Sequence, residues 1–104
     1  MKKIFLVALA LFSIAVLVFG AGDSERKAIA RILYGKIRIV SVGEDFSVRK
    51  VDLGEDLRVR VVELGADRPG RWRFVDVGED YKVRFVDLGE DIRVRFVDFG
   101  EGPR

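Results

Sequence analysis

The side chains able to do chemistry in this 104-residue chain are carboxylates and cations, 17 Asp+Glu against 19 Lys+Arg, with no His and no Cys. Lack of imidazole and thiol removes Ser-His-Asp and Cys-His catalysis, the soft metal ligands and any disulfide framework. Two acidic sets remain. Gly-Glu-Asp turns present Glu44-Asp45, Glu55-Asp56, Glu79-Asp80 and Glu90-Asp91, which stacked turns could gather round a hard cation wanting six to eight oxygens. A second row, Asp52, Glu63, Asp76, Asp87 and Asp98, could hold a general acid–base pair of the glycosidase kind. Equivalent carboxylates do not divide into acid and base unless their surroundings differ. Both sets therefore read as structural: turn residues in the first case, an ion-pair ladder with a row of arginines in the second. Neither an enzyme, a cofactor nor a metal site is implied.

The elements that position these groups follow from their spacing. The chain reads KIRIVSVGEDF (36–46), SVRKVDLGEDL (47–57), RVRVVELGADR (58–68), an inserted Pro69-Gly70, RWRFVDVGEDY (71–81), KVRFVDLGEDI (82–92) and RVRFVDFGEGPR (93–104). Arg holds the third place of every copy (Arg38, Arg49, Arg60, Arg73, Arg84, Arg95) and Val the fifth (Val40, Val51, Val62, Val75, Val86, Val97). Gly holds the eighth (Gly43, Gly54, Gly65, Gly78, Gly89, Gly100). A period of eleven also suits a right-handed helical supercoil, but the phrase is rich in β-branched and aromatic residues, and a Gly in each copy would cost a helix ~1 kcal/mol. Strands of six to eight residues are predicted, joined by turns in which those six glycines take φ > 0.

Within a copy the inside–outside alternation inverts. Ile92, Val94 and Phe96 are apolar on even positions, then Val97 and Phe99 on odd ones. Either a bulge lies near the fourth and fifth places, or a straight strand buries opposite faces with its two halves. The second option predicts an all-β, tightly intertwined small domain. Trp72, Phe74, Tyr81, Phe85 and Phe96 read chiefly as core. Trp72, which follows the Pro-Gly interruption, and Tyr81 are also candidates for an interaction surface. Lys50 joins them: it fills a place that is apolar in the other copies, so the second strand is predicted to lie at an edge or against a partner.

Three segments result. Met1-Lys2-Lys3, the apolar run Ile4 to Phe19 and the small residues Gly20-Ala21-Gly22 have the layout of a secretory signal peptide over 1–22, with an uncleaved anchor as the alternative. Residues 23–35 form a linker or short helix, with Ser24 as cap, Ala28, Ile29, Ile32 and Leu33 as apolar face and Gly35 as terminator. Residues 36–104 are the repeat domain. Without residues 1–22 the cations and acids balance at 17 each, which argues against nucleic acid and leaves membrane contact to the N-terminal segment. The expected location is exported: periplasmic, extracellular or membrane-anchored. Absence of Asn, Gln, Thr and Cys beside abundant Arg, Glu and Asp suggests heat adaptation.

Phe85-Val86-Asp87 and Phe96-Val97-Asp98, the turn Gly65-Ala66-Asp67 and the interruption Pro69-Gly70 leading into Arg71-Trp72 give residues 36–104 a phrase that resembles the bacterial septoil-knot domain family. The resemblance implies a seven-crossing torus knot of β-strands and no established activity. The residues alone also admit an unknotted β-solenoid or meander barrel. The expected role is structural or protein-interacting, with an unidentified protein or envelope component as partner and an oligomer allowed. The alternative is a module that binds envelope carbohydrate or a divalent cation through the turns and Trp72.

Overall fold

The computed structural model describes residues 22–104, and in it the undecamers are strands. Of the signal-peptide or anchor segment 1–22, residues 1–21 lie outside the described residues. Helix α1 (Asp23–Ile32) precedes β1 (Gly35–Ile39), β2 (Phe46–Lys50), β3 (Leu57–Val61), β4 (Arg71–Phe74), β5 (Tyr81–Phe85), β6 (Ile92–Phe96) and a short β7 (Gly102–Pro103). Each of the six repeat strands ends at the fourth place of its copy, so the strands are shorter than predicted.

Those six strands are parallel and close into a ring in the order β4-β1-β5-β2-β6-β3, with β3 pairing back onto β4. Closure leaves the six without a free edge; β7 is added antiparallel on β3. Neighbours are staggered by two residues, as where Ile37 lies opposite Tyr81 and Phe46 opposite Val83. An even stagger preserves the inward parity at every interface. The second places (Ile37, Val48, Val59, Trp72, Val83, Val94) therefore fill the interior together with Leu57 and Ile92, which precede their copies, and all are fully buried. Phe46 and Tyr81 pack beside them, partly buried.

Strands consecutive in sequence sit two ring positions apart, except β3 and β4, which are neighbours. Strands β4–β6 are thereby slotted among β1–β3. Parallel neighbours ordinarily need a crossover of a dozen or more residues. Six suffice here, as in Val51–Asp56, because the strands are short and the next one is not the adjacent one. The predicted tight turn is thus a crossing over the outside of the barrel.

This explains the inverted alternation without a bulge. Every fifth-place Val donates its N–H to the second-place carbonyl of a neighbouring strand, from Val40 to Val83 at 2.9 Å and from Val97 to Val59 at 2.8 Å, for example. The strand thus runs on into its crossing, and the half-buried valines change sides with it. The six turn glycines have φ between +76° and +82°.

Helix α1 covers the end at which the strands begin. Its buried side is Ala30 and the adjoining Leu33, with Ile29 packed against the core, while Ala28 and Ile32 face solvent. The predicted face was rotated from the real one because the small Ala30 permits closer approach to the barrel than Ile32 would. Gly22, not Ser24, is the cap residue, its N–H donating to Glu25 Oε1 at 3.1 Å; Gly35 opens β1 instead of ending the helix.

Candidate functional site

Three layers of side chains surround the barrel, and the crossing acids make the first. The ninth-place glutamates reach third-place arginines of neighbouring strands: Glu44 to Arg84 at 3.0 Å, Glu79 to Arg38 and Glu90 to Arg49 at 3.2 Å. Glu55 holds Arg95 at 3.2 Å and Arg58 at 3.0 Å; Glu101 holds Arg60 at 3.1 Å and Arg71 at 2.8 Å. The tenth-place aspartates clamp backbone. Oδ2 of Asp45, Asp56, Asp80 and Asp91 accepts the N–H of Lys82, Arg93, Lys36 and Ser47 at 2.8–2.9 Å. Each aspartate N–H donates to the carbonyl of the same residue.

Charge follows geometry. The Glu55 carboxyl is held down at about 2, first by its own backbone N–H and then by Arg95 and Arg58. Arg71 and then Arg60 hold Glu101 at about 2. Arg84 lowers Glu44, and Glu79 is lowered by its own backbone N–H and by Arg38. These carboxylates latch the winding and face guanidinium groups. Among the described residues, no three acidic side chains gather as a metal site would require.

The predicted ion-pair ladder exists, but its acids are the crossing glutamates. The row Asp52, Glu63, Asp76, Asp87 and Asp98 is exposed and, among the described residues, has no ion-pair partner. The sixth place lies just beyond the strand, where the chain leaves the barrel, whereas the ninth comes down beside the neighbour's third place.

The second layer is the open end opposite α1. Ile39, Val61, Phe74 and Phe85 stand there 36–52 % exposed, with Phe96 partly buried among them. Trp72 is not on this surface. It is fully buried, its ring edge-on to Phe74 and Phe96 at 6.2 and 5.9 Å, and Nε1–H donates to the Leu33 carbonyl at 2.8 Å. As the one interior second-place residue with a side-chain N–H, it spans from the helix end to the open end and offers no face to a sugar. Tyr81 is half-buried at the helix end beside Phe46, ring centroids 5.7 Å apart, and burial raises its pKa. Lys50 is exposed at the open end, Nζ 5.9 Å from the Phe96 ring centroid. It does not mark an edge, because β2 is paired on both sides; a strand can end in a cation where the barrel opens to water.

The third layer is an outer belt that sequence reasoning missed. Val42, Leu53, Leu64, Val77, Leu88 and Phe99, the seventh place of every copy, are 79–87 % exposed. The available signal was position: each directly precedes a turn glycine, and five directly follow an acid. Apolar type alone pointed inward. Belt and open end meet in a cleft of about 860 Å³ bounded by Val61, Phe96 and Phe99 and by Arg58, Arg60 and Arg95.

A closed ring of six parallel strands, with the second three interleaved among the first three and a helix over one end, defines a wound β-barrel class. The chain belongs to the 7(1) septoil knot domain family, whose profile matches residues 30–103, starting inside α1. No curated protein matches it.

Proposed function

We propose that this is an exported, non-enzymatic interaction module, its N-terminal segment a signal peptide or anchor and its repeat domain a knotted scaffold. The observation that carries this reading is the exposure of large apolar residues at the seventh place of every copy and at the fourth place of four of them (Ile39, Val61, Phe74, Phe85), on a barrel whose own core is complete without them. Isolated exposed apolar residues are ordinary, but a repeated array of them is a contact surface. The family name speaks for a knotted backbone. The crossing ion-pair network is in keeping with heat adaptation; a melting temperature within the mesophile range of about 45–65 °C would count against that.

Site-specific photo-crosslinkers at Leu88 and Phe99, with Arg31 as control, test the role in intact cells. Discrete adducts in the exported fraction from the belt positions and not from Arg31 are expected. Adducts absent from the belt, or equal at all three positions, reject the interaction role.

A further inference from the structure

We infer that the cleft beside the sixth copy binds a single-chain anionic amphiphile of the fatty-acid class, its carboxylate on Arg58, Arg60 and Arg95 and its tail along Val61, Phe96 and Phe99. The site goes beyond the interaction reading and does not need it. It lies where the chain leaves the repeat: after Gly100 the sixth copy turns back along β3 as β7 instead of crossing to a further strand. Pairing of β3 with β6 sets Arg58 opposite Arg95, on backbones about 5 Å apart. Arg60 follows on the same outward face of β3, about 7 Å along.

The acids that hold these arginines are shared. Glu55 Oε2 takes both Arg58 and Arg95, at 3.0 and 3.2 Å, and Glu101 takes Arg60 and Arg71. Asp67, 3.6 Å from Arg71, is shared with Arg68. Five arginines thus meet three carboxylates, and Asp98, the one acid that lines the cleft, still leaves a cation in excess. Lys50, over the Phe96 ring, adds another. Glu79 and Glu90, by contrast, each serve a single arginine among the described residues. Arg58 and Arg95 each use one N–H on Glu55, and Arg60 uses two on Glu101, out of guanidinium forks that have more to donate. All three side chains stay 36–38 % exposed, within reach of a ligand.

The apolar lining selects a chain over a point anion. Val61, Phe96, Val97 and Phe99 line the same cleft, whose volume of about 860 Å³ lies within the roughly 300–1,000 Å³ of small-ligand sites. Apolar surface continues from it over the open end, where the Phe96 ring lies 6.3 Å from that of Phe85, itself 36 % exposed. An extended peptide would instead require a strand edge, and β3 is already paired with β6, β4 and β7. A neutral sugar leaves the excess cation unmatched. An acyl carboxylate matches both the charge and the apolar surface.

The test titrates the chain as the cell delivers it with dodecanoate in a calorimeter. Saturable binding is expected, at least about tenfold tighter than for dodecyltrimethylammonium, which has the tail without the negative charge, or acetate, which has the charge without the tail. Arg95→Gln and Phe99→Ser should each weaken it about tenfold, and Asp98→Asn should tighten it about threefold. Leu88→Ser, on the belt but outside the cleft, should leave it unchanged. Phe99, Asp98 and Leu88 are exposed, so these three variants should melt with the parent and carry the test even if Arg95→Gln unfolds. No binding of dodecanoate, equal binding of either control compound, or equal losses in Leu88→Ser and Phe99→Ser overturn the inference. So does binding to phosphatidylglycerol vesicles by a chain that takes no free dodecanoate, which would make the surface a membrane contact. The interaction role stands or falls separately, on the belt crosslinks.

Discussion

The crossing between β3 and β4 differs from those that follow β1, β2, β4 and β5. In those four, Glu reaches an arginine and Asp clamps a backbone amide while the chain advances two ring positions. The third crossing, Val62 to Gly70, is longer yet advances only one position. Ala66 replaces Glu, and among the described residues Asp67 pairs with nearby Arg68 and Arg71 alone. Steps of two around a ring of six return to their origin after three strands, so β4 would fall on β1. Pro69-Gly70 supplies the odd step that places the second pass between the strands of the first. The next strand in the ring, β4, correspondingly carries Arg73, the third-place arginine that has no ion pair among the described residues. The C-terminus closes this crossing instead: Glu101 joins Arg60 to Arg71, and β7 lies along β3 against Gly70.

The largest effect that separates the two kinds of crossing is expected from Gly70→Ala. A Cβ there would collide with the Gly102 backbone nitrogen and sit 2.7 Å from the Arg58 carbonyl oxygen, at φ +90°. A loss of about 4 kcal/mol or more is expected in urea denaturation. Gly54→Ala meets no atom within 4 Å and bears only the left-handed penalty, about 1–2 kcal/mol. Similar losses would erase the distinction. Trp72→Ala, just past the irregular crossing, should cost about 3–5 kcal/mol, because a cavity is added to an orphaned Leu33 carbonyl. Val48→Ala, at the same place in a regular copy, should cost less in the same assay.

Acidification should loosen both kinds of crossing. Folded values of about 2 for Glu55 and Glu101 lie below the ~4.3 of an unfolded glutamate, so their contribution is complete above about pH 5 and is lost as pH falls toward 2. The urea midpoint should decline through that window, with a flatter decline in E55Q/E101Q; superimposable profiles would deny these glutamates the effect. At neutral pH, Glu101→Gln should lower the melting temperature more than Glu90→Gln, since Glu101 holds two arginines and joins β3 to β4. The smallest effect belongs to Ala66→Glu. Arg73, on the strand that follows β3 in the ring, has no ion pair among the described residues, so a gain of at most about 1 kcal/mol is expected in urea denaturation, and no gain would mean that the longer third crossing carries position 66 away from β4.

Much of the fold was legible in one undecamer. Fifth-place valines and second-place apolar residues announced strands whose burial changes sides, and Pro69-Gly70 marked the break in symmetry. The site was less legible. Trp72 suggested a surface because it follows that break, yet the parity of its copy turns it inward. Lys50 suggested an edge, which ring closure removes. The acids of the sixth and ninth places look alike in sequence; only the path of the crossing turns one row to solvent and the other to arginine.

The sequence by itself determined the strand period, the positive-φ turns and the supply of matched charges, because these depend on local backbone preference and on residue type. Only the tertiary structure decided which arginine each glutamate meets, that β2 has no edge and that the sixth-place acids face solvent. Those depend on ring order, and ring order arises from a one-position shift between the two passes of the chain, a long-range property that no single copy of the repeat contains.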